Sequence, residues 1–182
     1  MKLFKNIKKW LENQEHLFYL FLLILIVPNI ILCFTEPMPV VAKVCNVLLP
    51  FAFYYLLMTL SRNCGKMFWI LFLFIFFGAF QIVLLYLFGQ SIIAVDMFLN
   101  LVTTNSSEAM ELLDNLVPAL VSVIILYIPA LILAAISIIK KRKLSPEFIR
   151  RERKKAWIAL LIGFISLGAA YGLDKRYELK SD

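Results

Sequence analysis

The chain has 182 residues, 62% of them hydrophobic, with a formal net charge of +7 and a mean hydropathy of +0.86. A soluble domain is roughly 45–50% apolar, so a water-solvated globule is excluded. The positive charge sits in short clusters between apolar runs rather than on one basic face, which also argues against nucleic acid as a partner.

In chain order, residues 1–15 form a basic arm. Leu3, Phe4, Ile7, Trp10 and Leu11 recur at three- and four-residue spacing among Lys2, Lys5, Lys8 and Lys9. That pattern predicts an amphipathic helix lying on a membrane surface. The first apolar run, Leu17–Phe34, has no small-residue cleavage site, so it reads as a retained span. Val40–Leu60, Met67–Gly89, Val117–Ile139 and Trp157–Leu173 follow, the last being short and carrying Gly163, Gly168 and Gly172. A span needs about 20 residues and must satisfy its own backbone in lipid, so all five are expected as helices. The runs never alternate with period two, which excludes a barrel. The expected fold is therefore all-α: five transmembrane helices over residues 16–173, with short interfacial and periplasmic helices.

Fifteen basic residues lie in the N-terminal arm, the 61–66 loop and the 140–155 loop, whereas the Thr35–Pro39 loop and the 90–116 loop have none. The positive-inside rule then puts the N-terminus in the cytoplasm and the C-terminus outside. Residues 174–182 turn polar as the fifth span ends, which reads as the start of a linker to a further exported domain. Lys43, Asn46 and Pro50 in the second run and Gln81 in the third are the polar exceptions. Lys43 is near enough to the outer end to snorkel, and a polar cavity is the alternative. Cys33, Cys45 and Cys64 form no metal-binding spacing and the single His16 adds too little, so no metal is expected on this chain.

The 90–116 loop combines Asp96, Glu108, Glu111 and Asp114 with an Asn-Ser-Ser stretch. Asn100, Thr104 and Glu108 are spaced by four and four, so on a helix they share one face. A carboxylate there can pair with an ammonium while the amide and hydroxyl donate to phosphate oxygens. Phosphatidylethanolamine presents both groups. A second reading needs no ligand: Asn105-Ser-Ser-Glu108 has the form of a capping box, with Glu108 reaching back to Asn105.

Five spans in this order, with DMFLNLVTTNSSEAMELL between the third and fourth, resemble the N-terminal membrane domain of lipid A phosphoethanolamine transferases. That family includes the mobile colistin-resistance enzymes. The resemblance implies a multi-pass protein of the bacterial inner membrane, with phosphatidylethanolamine as donor and lipid A as acceptor. It carries donor-binding roles onto Asn100, Thr104 and Glu108. It also implies a sulfatase-like periplasmic domain, holding zinc and a Thr nucleophile, that would follow residue 182 and be this chain's own partner. No catalytic residue is expected within the chain itself. The competing expectations are a non-catalytic five-span protein, such as a transporter subunit or assembly factor, and a related transferase with another lipid or glycan acceptor.

Overall fold

The structure is a computed structural model that describes the backbone of residues 2–35, 37–88 and 106–181, and the side chains of residues 5–35, 37–77 and 121–173. Among the described residues the regular structure is all helical, in six helices: α1 (Lys2–Glu12), α2 (Gln14–Thr35), α3 (Val40–Met58), α4 (Cys64–Phe88), α5 (Ser106–Ile139) and α6 (Pro146–Ser181). Four stretches are long and apolar enough to cross a membrane: Gln14–Thr35, Val40–Met58, Val121–Ile139 and Pro146–Leu173. This is a multi-pass membrane protein.

Local chemistry sets the helix boundaries. Asn13 separates the arm from the first long helix, and its Oδ1 accepts from the Glu15 N–H at 2.9 Å, satisfying one of the orphan donors at the start of α2. Asn63 does the same for α4, accepting from the Lys66 N–H at 2.9 Å. That cap starts α4 at Cys64, three residues before the apolar run at Met67. At α6 the Ser145 hydroxyl accepts from the Phe148 N–H at 3.2 Å, and Pro146 occupies the first helical position, where its missing N–H costs nothing.

The end of α5 is a Schellman turn built without glycine. The Arg142 N–H reaches back to Ser137 O and the Lys141 N–H to Ile138 O, with Lys141 at φ 50°. The left-handed position normally favours glycine, and here a lysine takes it.

In three places helix extends further than the sequence expectation. The 140–155 loop shrinks, because α6 starts at Pro146 and carries the basic run Arg150–Lys155 on its first turns. The expected linker at 174–182 is helical as far as Ser181, since Asp174–Ser181 contains neither proline nor glycine to stop the helix. The expected 90–116 loop is likewise helical from Ser106 onward, continuous with the span after it.

Helix α3 packs against α6 on one side and α2 on the other, while α4 packs against α5. The buried core lies toward the end that carries the basic loops, around Phe18 and Phe21 of α2, Met58 of α3, Phe68 of α4 and Phe148 of α6. Phe21 stacks on Phe68 at 4.5 Å between ring centroids, and Phe18 meets Phe148 edge-on at 5.4 Å. Aromatic pairs of this kind contribute about 0.5–1.5 kcal/mol beyond their area. Where α4 crosses α5, a Cβ added at Gly65 would collide with the Ala134 carbonyl. Small residues there let the two backbones touch, as is usual where lipid provides no hydrophobic drive between helices. Outward faces are apolar too: Phe34, Phe74 and Ile139 are each at least 75% exposed, as a lipid-solvated surface requires.

Candidate functional site

Asn100 and Thr104 lie outside the described residues. Glu108 falls in the first turn of α5, the place the capping reading gives it, but its side chain and Asn105 are outside the described set. The polar chemistry that is described sits elsewhere, in three groups.

The first is centred on Glu152, whose side chain is fully buried although it stands in the run Arg150-Arg-Glu-Arg-Lys-Lys155. The Tyr55 hydroxyl of α3 donates to its Oε2, and the Tyr19 hydroxyl of α2 also faces the carboxylate. Arg151 Nε and Lys155 Nζ approach Oε1 at 3.0 and 3.1 Å. Arg151 also lies 5.2 Å above the Phe148 ring, and Arg153 Nη2 donates to Thr59 O at the end of α3, at 2.7 Å. A buried carboxylate is tolerable only when paired and hydrogen-bonded, and this one is both. The arrangement joins α2, α3 and α6 at one point. With Glu152 sealed from solvent it cannot touch a substrate, so it is a structural joint and not a reactive group.

A second group fastens the loop ends. Ser137 Oγ donates to Gln14 Oε1 at 2.7 Å. Asn63 Nδ2 donates to Ser137 O and Arg142 O at 3.3 and 3.1 Å, and Arg62 and Leu144 pair through Arg62 Nε to Leu144 O and Leu144 N to Arg62 O. The third group lies at the opposite end of the spans. Asn29 Nδ2 donates to Asn46 O at 3.2 Å and Asn46 Nδ2 to Asn29 O at 3.1 Å, a reciprocal pair tying α2 to α3. Beside it, half-buried Lys43 borders a cavity of about 480 Å³ whose other lining side chains include Ile30, Phe34, Val47 and Phe51. Among the described residues the lining beside Lys43 is apolar rather than polar.

The three cysteines are free. Among the described residues no cluster of three His, Cys, Asp or Glu could hold a metal, and the His16 ring is stacked on Trp10 at 4.9 Å. The zinc that the transferase resemblance implies belongs to the further domain expected beyond residue 182, so no chemical step is assigned to it here. The chain matches no family model, no curated protein and no solved structure.

Counting only basic residues in the 140–155 segment passes over Glu152. Its signal was legible in part: one carboxylate flanked by five cations is misplaced on a solvated basic face and finds an obvious use only as a buried pairing partner.

Proposed function

We propose that this chain is the membrane part of a phosphoethanolamine transferase of the bacterial inner membrane, moving phosphoethanolamine from phosphatidylethanolamine to lipid A. The observation that carries the reading is the Asn100, Thr104, Glu108 pattern just ahead of and entering α5, in a segment without a basic residue from 90 to 116. In this reading α4 joins the four as the third of five spans in chain order: it has 25 residues and no charge beyond Lys66. The basic loops then lie in the cytoplasm, and the polar stretch meets the outer leaflet.

The chain's own contribution is to bind and orient the donor. Glu108 holds the ammonium, Asn100 and Thr104 donate to the phosphate, and the apolar outer faces of the helices take the acyl chains. The Glu152 joint keeps α2, α3 and α6 in register beneath that platform. Transfer itself is assigned to a sulfatase-like partner domain supplying a nucleophile and a metal.

The experiment is expression of the whole gene in cells whose lipid A is unmodified, followed by mass spectrometry of the extracted lipid A. Lipid A carrying added phosphoethanolamine is the expected result. Unchanged lipid A beside abundant, membrane-inserted protein counts against this acceptor. Phosphoethanolamine on another envelope lipid or glycan would move the proposal to a related transferase.

A further inference from the structure

At the end of the bundle opposite Lys43, the arm helix α1 and the last turns of α5 enclose a cleft of about 290 Å³. Leu11, Leu133 and Ile136 line it with hydrocarbon, while Lys8, Lys140 and Arg142 bring three cations to its rim. Glu12 is the one acid there. The cations come from two separate pieces of chain: the arm and the loop that follows α5. Two devices hold them in place. The Schellman turn fixes the backbone from Ser137 to Arg142, and Arg142 Nη1 donates to Glu12 O at 3.2 Å, closing the loop onto α1. Among the described residues, neither Lys8 nor Lys140 has an ion-pair partner.

We propose that this cleft binds one anionic phospholipid, a phosphatidylglycerol, from the leaflet on the basic side of the membrane. Three cations against one carboxylate leave a net positive rim that attracts and partly offsets a headgroup of charge −1. A zwitterionic headgroup brings its own ammonium and gains less. The apolar floor gives the upper part of an acyl chain a place beside the phosphate, which a free anion would not use. The arm is thereby held down by a lipid bridging α1 to α5, and the site is separate from the donor site proposed at Glu108.

The test is native mass spectrometry of the full chain released from detergent, titrated with phosphatidylglycerol and phosphatidylcholine of identical acyl chains. One phosphatidylglycerol should bind about tenfold more tightly than phosphatidylcholine. The double variant Lys8→Gln/Lys140→Gln should lose that preference, whereas Lys143→Gln/Lys154→Gln, which removes the same charge from exposed positions elsewhere on the basic face, should keep it. Arg142 is left intact in both because it also fastens the loop. Glycerol phosphate at the same concentration should not displace the lipid. Equal binding of the two lipids, an equal loss in both double variants, or displacement by glycerol phosphate would each overturn the proposal. Unfolding of the Lys8/Lys140 variant, read from its charge-state distribution, would overturn it too by making those lysines structural.

Discussion

Replacing Glu152 with leucine should destabilise the bundle by about 2–3 kcal/mol, measured by reversible unfolding in mixed micelles. The size follows from who loses a partner. The Tyr55 residue is 7% exposed, so its hydroxyl would be left buried without an acceptor, and a hydrogen bond to a charged group contributes about 1.5–3 kcal/mol. The Tyr19 residue is 42% exposed and its hydroxyl can find another partner. Arg151 and Lys155 have more than half of their side-chain surface exposed, and ion pairs made by such cations contribute little.

Glu152→Gln keeps an acceptor for Tyr55 and should cost only about 1 kcal/mol. Adding Tyr55→Phe to Glu152→Leu should cost almost nothing further, because both partners are then gone. A Glu152→Leu protein within about 0.5 kcal/mol of the parent would mean that the joint does not hold the helices together.

Glu108→Gln should weaken binding of phosphatidylethanolamine about ten- to a hundredfold, while leaving the amount of folded protein unchanged. Loss of a charge-assisted contact at a partly dry site costs roughly 1.5–3 kcal/mol, and every 1.4 kcal/mol is tenfold. Glutamine is the informative substitution. It serves a capping box as well as glutamate does, so a residue that only starts α5 would tolerate it without effect. Alanine would remove cap and ligand contact together and separate nothing. Asn100→Ala and Thr104→Ala should weaken the same affinity by smaller factors, since each loses a neutral donor.

The apolar helices were legible because hydropathy over about 20 residues reports directly on the solvent a segment meets. Their ends were less so. Asn63 starts α4 early and Ser145-Pro146 starts α6 inside what reads as a basic loop, and both are capping signals overridden when apolar length alone defines a span. The Schellman turn at Lys141 carries no glycine to announce it. Gly65 and Ala134 look unremarkable apart, and only the crossing of α4 over α5 makes their size matter. Glu152 is the clearest case. Its anomaly is local, but its partners Tyr19 and Tyr55 come from two other helices, and no spacing rule connects residues that far apart in sequence.

Headgroup discrimination by the chain itself tests the central claim most directly. The protein, reconstituted in nanodiscs with equal amounts of phosphatidylethanolamine and phosphatidylcholine of matched acyl chains, is re-extracted and its co-purifying lipid quantified. Trimethylation removes the ammonium N–H donors and enlarges the cation, so a carboxylate built to hold the ethanolamine should discriminate against choline. The account predicts that phosphatidylethanolamine is retained about tenfold over phosphatidylcholine, and that Glu108→Gln abolishes the preference. Equal retention of the two lipids by the unaltered chain would contradict it.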